Sequence, residues 1–414
     1  MTQQEKEGML SPYRVLDLTD EKGLMCGKIM GDLGADVIKI EQPGGDPSRN
    51  IGPFWHDEPD PEKSLFWFAL NANKRGITLD VKTAAGREIF KKLVITADFV
   101  IESFKPGYLN RLKLGYRALE KLNPGIILVS ITPFGQTGPY KNFKGPDIVA
   151  WAAGSGPYMR TFGDADRPPF RISHHAQTYY HAGTEAVVGA LVALYYRQVS
   201  GVGQHVDVSI QECMAFNTGW EWDLNKITRK RGETFIPVTV RHMWPCKDGW
   251  VMWRYLVGPM AKRQSIPLVK WMEEEGMADD FMKNFDWEHF NYFKTTQDIV
   301  NHMEEQTIKF FMTHSKAELM AGAIKRRIML YPIATMKDIV ESPQLNARDF
   351  WQEVKHPELD TTITYPAKWA NTSEAPPEIW RRAPLIGEHN EEIYEKEMGF
   401  SRDKLILLKQ AGVI

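Results

Sequence analysis

The chain has 414 residues, 43% hydrophobic and 25% charged, a composition that suits two or three globular domains with a large core. A formal net charge of −2 offers no global field for nucleic acid or an acidic membrane. Cys26, Cys213 and Cys246 are scattered and lack CxxC spacing, which argues against a disulfide framework or zinc site and fits a reducing cytoplasm. The first ten residues, MTQQEKEGML, lack the apolar core of a signal peptide. The longest apolar run, 186–196, is shorter than the ~20 residues a membrane span needs.

In chain order, 13–18 (YRVLDL) reads as a buried strand, 22–33 as a helix and 36–40 (DVIKI) as a second strand. This spacing suits a parallel strand–helix–strand unit. The helix carries Gly23, Gly27 and Gly31 on one face, where some neighbour must come close, most simply a sheet. No GxGxxG follows the first strand, so a nicotinamide fingerprint is absent. Residues 71–75 (NANKR) form a polar knot, 78–81 a strand and 83–95 an amphipathic helix capped by Thr83. Further buried strands are expected at 98–102 and 126–130. The alternation points to an α/β, doubly wound domain.

A polar, aromatic lead at 171–182 precedes a helix at 183–197, a Gly-rich turn at 200–203 and a strand at 205–210. Residues 215–230 read as a helix leading away from this domain. Residues 242–254 read as a hairpin turning at Lys247-Asp248-Gly249. Residues 259–323 are mostly helical. The expected division is a large domain starting with 1–224, a small α+β domain at 225–330, and 331–414 returning to the large domain. Within that last part, 333–348 holds a helix cut near Pro343, 353–366 alternates like strands, and 376–392 is a loop opening a last helix.

Candidate chemistry follows the cations. Lys74 and Arg75, Lys105 and Arg111 around a Phe104-Lys105-Pro106-Gly107 turn, and Lys141 and Lys144 all fall near expected strand ends, where polyanionic cofactors dock on α/β sheets. Any one alone is better read as a solvated surface charge; only as a set at strand ends does the cofactor reading draw level. His174, His175 and His181 cluster without HxxxH spacing, so no metal site is expected. A serine triad lacks its GxSxG elbow.

Several long segments, among them VLDLTDEKGLMCGKIMGDLGADVIKIEQPGGDPSR, NANKRGITLDVKTAAGREIFKKLVITADFVIESFKPG, LNPGIILVSITPFGQTGPY and GALVALYYRQVSGVGQHVDVSIQE, resemble the family III coenzyme A transferases (CaiB/BaiF family) almost end to end. The resemblance implies a Rossmann-like large domain built from both chain ends, a small middle domain and an interlocked dimer. It implies a CoA thioester as substrate and no permanently bound cofactor. It also implies an aspartate that attacks the thioester through an anhydride. That aspartate stands four residues before the glycine opening the helix; here the glycine is Gly183 and the position holds Tyr179. Glu185, Asp164 and Asp166 are nearby carboxylates. The histidine a racemase of the family needs before Asp147 is Pro146 here. At the first strand, Asp20-Glu21-Lys22-Gly23 replaces the family's Gln- or His-led turn, and its two acids would repel CoA phosphates.

By the same resemblance, Asn73, Lys74 and Arg75 lie along CoA, Ser103 and Phe104 flank the adenine, and Arg111 and Lys144 sit near phosphates. The expectation is a subunit of a heteromeric enzyme, such as those acting on benzylsuccinate, whose paralogous partner supplies the aspartate. Arg171, His174, His175 and Tyr179 would bind the acid. A stand-alone transferase, lyase or isomerase using another carboxylate, and a non-enzymatic scaffold of the same fold, are the alternatives.

Overall fold

The computed structural model describes residues 8–154, 176–217 and 238–414. Chain contacts divide the protein into two units, Met1–Thr228 with Ala347–Ile414, and Arg229–Asn346. In the first unit, strands β1 (Arg14–Leu18), β2 (Asp36–Glu41), β3 (Lys74–Thr78), β4 (Phe99–Glu102), β5 (Ile127–Thr132) and β6 (His205–Ser209) form a parallel sheet. Their order is β3-β2-β1-β4-β5-β6. The chain builds outward from β1, then returns to lay β4 on the other side of it. The carboxyl ends of β1 and β4 flank this reversal, where open α/β sheets bind ligands.

Every residue of β3, β4 and β5 is buried, as expected for a parallel sheet covered on both faces. One face packs Val15, Phe99, Ile127 and Val129 against Cys26 and Met30 of the Leu24–Asp32 helix and Ala186 and Ala190 of the Gln177–Ser200 helix. The other packs Leu16, Val100 and Leu128 against Ile89, Phe90 and Leu93 of the Ala84–Ile95 helix and the chain end, Val413 and Ile414. Thr83 caps that helix by accepting from the Gly86 amide.

The bare glycine face of the Leu24–Asp32 helix lies on the sheet side. A β-carbon at Gly27 would come 2.4 Å from Asp17 Oδ2, and one at Gly31 3.3 Å from the β-carbon of Asn73.

Two local expectations need correction. The strand expected at 78–81 lies at Lys74–Thr78, inside the polar run. Lys74 can enter a buried strand because Asp17 supplies its counter-charge. The helix expected from 183 begins at Gln177. Tyr179, Ala182, Gly183, Ala186, Val187 and Ala190 are buried at three- and four-residue spacing, so the apolar stripe runs back through the aromatic lead.

The second unit holds a three-stranded antiparallel sheet of β7 (Met243–Cys246), β8 (Gly249–Met252) and β9 (Tyr331–Pro332). It packs on the helices Ser265–Glu274, Gln297–Phe311 and Lys316–Arg326 through Trp244, Trp253, Tyr255, Trp271 and Phe311. The hairpin turns at Lys247-Asp248, as its sequence indicates. Residues 331–346, grouped above with the returning chain, belong to this unit. Tyr331–Pro332 pairs with β8, and Lys316 forms an ion pair with Asp338. The Pro343 interruption separates two short helices, Met336–Val340 and Pro343–Asn346. Strands β10 (Trp351–His356) and β11 (Thr361–Pro366) make a hairpin in the larger unit.

Candidate active site at the carboxyl edge of the sheet

The turn after β1 meets the turn after β4 at the reversal. The Asp20 amide donates to Ser103 Oγ at 2.8 Å, and the Ser103 hydroxyl donates to Asp20 Oδ1 at 2.7 Å. Lys22 pairs with the other oxygen of Asp20. The acidic Asp20-Glu21 step is thus partly answered within its own turn. Glu21 keeps its carboxyl above the usual range through burial and the charge of Asp20.

Tyr179 sits in the first turn of the Gln177–Ser200 helix and is 6% exposed. Burial first, then the negative charges of Glu21, Asp147 and Asp20, push its phenol above the ordinary range. Asp147 is fixed beside it, accepting from the Thr178 amide at 3.0 Å and the Thr178 hydroxyl at 2.8 Å. The ring is therefore a neutral phenol at physiological pH. Four residues on, a β-carbon at Gly183 would lie 2.7 Å from that of Met25. The missing side chain lets this helix rest against the Leu24–Asp32 helix.

On the sheet face opposite this helix, register sets Glu102, Ser130 and Asp207 side by side on β4, β5 and β6. The Phe104 amide donates to Glu102 Oε2 at 2.7 Å. Burial pushes the Glu102 carboxyl up from 4.5 to about 7, despite a hydrogen bond with Ser130. Ser130 Oγ lies 2.9 Å from His205 Nε2, and Tyr116 stacks on the His205 ring at 6.0 Å. Burial holds that imidazole below its usual value. A cavity of about 450 Å³ opens here, lined by Glu102, Lys105, Tyr108, Tyr116, Ser130 and His205. Phe104 packs on Tyr108 at 4.7 Å, and the Arg111 guanidinium lies over the same Tyr108 ring at 5.6 Å. Ser103, Phe104 and Arg111, singled out in the sequence, lie next to this cavity without lining it, whereas the sequence did not single out its lining residues Glu102, Ser130 and His205. Their strand alternation marks a shared face; strand order, which neighbouring residues do not encode, brings them together.

The 73–75 run is placed differently. Asn73 Nδ2 donates to Asp32 Oδ1 at 2.8 Å and to the Glu378 carbonyl at 2.7 Å, while its Oδ1 accepts from the Trp380 and Arg381 amides. Lys74 is fully buried and donates to Asp17 Oδ2 at 2.8 Å, and to the Leu24 carbonyl and Asn71 Oδ1 at 3.0 Å each. Arg75 makes a fork to Asp36 at 2.9 and 2.6 Å and also reaches Glu392 and Glu397. These groups tie β3 to its neighbours. Lys144 is exposed. Arg171, His174 and His175 lie outside the described residues, as do Asp164 and Asp166. Glu185 points toward the Ile210–Asn217 helix, accepting from Asn217 at 3.4 Å. His181 lies at 3.3 Å from the same Asn217 amide. Among the described residues, no group of three or more His, Cys, Asp or Glu could hold a metal ion, and no helix is long and apolar enough to cross a membrane.

A parallel sheet with a polar cavity beside its switch point defines an α/β protein whose site belongs at the carboxyl edge. Residues 10–390 match CoA-transferase family III, and the chain belongs to that family as a CoA-transferase. It is 35% identical over 411 residues to subunit BbsE of the succinyl-CoA:(R)-benzylsuccinate CoA-transferase of Thauera aromatica, covering 98% of each chain. It is 32% identical to the succinyl-CoA–D-citramalate CoA-transferase of Chloroflexus aurantiacus, covering 100% of each. The crystal structure of a CaiB/BaiF family protein from Brucella suis superposes with a TM-score of 0.77 at 27% identity, covering 94% of this chain and 100% of that one.

Proposed function

We propose that this chain is the subunit of a heteromeric family III CoA-transferase that does not carry the attacking carboxylate. The observation behind this reading is Tyr179, a buried neutral phenol among acidic neighbours, four residues before Gly183. A phenol held in its neutral form is a poor nucleophile, and its acyl product would be an aryl ester rather than an anhydride. A paralogous partner would supply the aspartate, in an interlocked dimer within the cytoplasm. The CoA thioester is a substrate, and no resident cofactor is needed.

The donor proposed is succinyl-CoA and the acceptor an aryl-succinate-type acid, by analogy with the names of the relatives. The nucleotide end of CoA would approach Ser103, Phe104 and Arg111 beside the 450 Å³ cavity, with Lys144 near a phosphate. Asn73, Lys74 and Arg75 would act by holding β3 in the sheet. Arg171, His174, His175 and Tyr179 would face the acid.

A second reading rests on Glu21, whose charge acts on the Tyr179 phenol and whose own carboxyl is partly buried. In a stand-alone enzyme, Glu21 would be the displaced nucleophile. CoA transfer from succinyl-CoA, assayed with the purified chain alone and with its paralogous partner, separates the two. The heteromer reading expects transfer only from the pair. Transfer by the lone chain that Glu21→Gln abolishes would establish the second reading.

A further inference from the structure

β3 is the last strand on its side of the large sheet, with β2 along one flank. A bare strand edge leaves N–H and C=O groups unpaired. Here the returning chain answers them. The Asn73 amide donates to the Arg381 carbonyl at 2.9 Å, and the His389 amide to the Gly76 carbonyl at 2.9 Å. The Thr78 amide donates to Asn390 Oδ1 at 2.9 Å, and the Tyr394 hydroxyl donates to the Thr78 carbonyl at 2.8 Å. The Gly76 amide donates to His389 Nδ1 at 3.1 Å. Glycine at 76 permits this approach, because a β-carbon there would lie 2.8 Å from that of Pro384.

The other acceptors in this set are carbonyl oxygens, which keep their lone pairs at any ordinary pH. His389 Nδ1 does not. The ring is 8% exposed, and its second nitrogen, Nε2, lies 3.1 Å from Arg381 Nη1. A backbone amide and a guanidinium can only donate, so the imidazole meets a donor at each nitrogen. A neutral ring has one bare nitrogen to offer. An imidazolium has none, and would set N–H against N–H on both sides. The same holds for either neutral tautomer, so Gly76 and Arg381 together select the unprotonated ring. Arg381 and Arg75 oppose a proton on it, while Glu388 and Glu392 favour one. Glu388 is already held by a two-point fork from Arg382, and Glu392 by Arg75. Burial, followed by the Arg381 charge, holds the imidazole below its usual range.

We propose that His389 is an acid-sensitive latch, whose protonation releases the 381–394 segment from β3 and bares the edge of the large sheet. Opening places the ring in water, where it takes up a proton near its ordinary value of 6.5. Closed, the ring stays neutral to lower pH. Closure is therefore fully favoured above about pH 6.5 and weakens as pH falls below it. The latch lies within the larger unit and does not rest on the role of Tyr179.

Hydrogen exchange of the full chain, read by mass spectrometry at pH 7.5 and pH 5.5 and corrected for intrinsic exchange rates, tests the latch. Peptides covering 74–78 and 381–394 lose protection at the lower pH by up to about 10-fold, since pH 5.5 lies about one unit below the ordinary imidazole value. A peptide covering 127–132, in β5, keeps its protection. His389→Asn removes the acid response, because its amide oxygen can accept the Gly76 bond and does not titrate in this range. His389→Leu leaves both segments under-protected at both pH values. Equal loss in 127–132 would overturn the latch in favour of general loosening. Unchanged protection of the wild type at pH 5.5 would overturn it, and so would an acid response that persists in a folded His389→Asn chain. Should a variant not fold, the wild-type comparison still decides: loss confined to the two segments supports the latch, and loss elsewhere or nowhere overturns it.

Discussion

Lys74 and Arg254 are both cations beside strands, and their surroundings differ completely. Lys74 has three acceptors within 3.0 Å and no exposure. Arg254 stands exposed at a cavity with no ion pair among the described residues. Several cations of the larger unit are answered from within it. Asp17 lies between Lys74 and Lys39, and although burial works the other way, these cations hold its carboxyl below the usual range. Lys74, sharing one carboxylate with Lys39, is pushed below its own usual value chiefly by burial. Arg49 is shared between Glu41 and Glu62. The smaller unit builds its interior from stacked and edge-on aromatics, such as Tyr255 on Trp287 at 5.1 Å. A cation near a strand end therefore signals a ligand only where no internal counter-ion has claimed it.

The strongest test of this contrast is Lys74→Met. Leaving Asp17 with only Lys39, at 3.8 Å, should cost about 3 kcal/mol by urea unfolding, since breaking one side of a buried pair strands the other charge. Arg254→Met should unfold within about 0.5 kcal/mol of wild type, as expected for an exposed side chain. Equal losses would erase the comparison.

A comparable effect is expected at Glu102, whose carboxyl moves from 4.5 to about 7 on folding. Between those values the folded protein holds a proton that the unfolded chain has released. Stability therefore falls as pH rises through that window and levels off above it, by about 3 kcal/mol. Glu102→Gln removes this slope, so unfolding across pH 4.5 to 8 should be flatter in the variant. A parallel slope in both proteins would assign it to another group. Smallest is Thr83→Ala, which loses an N-cap bond and about 1 kcal/mol, measured by thermal melting.

These positions also mark how much was legible in the sequence. Thr83 and the Lys247-Asp248 turn are local signals, where capping and turn chemistry are written in adjacent residues. The alternation of β1, β2, β4 and β5 with helices gave the fold class for the same reason. Lys74 misled, because its partner Asp17 is distant in sequence and belongs to a different strand. The first turns of the Gln177–Ser200 helix misled as well, since His181 and the tyrosines masked an apolar stripe carried by Ala182, Gly183 and Ala186. The Glu102–Ser130–His205 group depends on strand order and register. Neither is a property of a short stretch of sequence.

The central claim is that this chain carries no acylated carboxylate. The most direct measurement incubates the chain with its paralogous partner and succinyl-CoA, traps activated carboxyls with hydroxylamine and maps the hydroxamate by peptide mass spectrometry. The account predicts the modification on an aspartate of the partner subunit and an unmodified peptide spanning Glu21 in this chain. A hydroxamate on Glu21, Glu185 or any other carboxylate of this chain would contradict it.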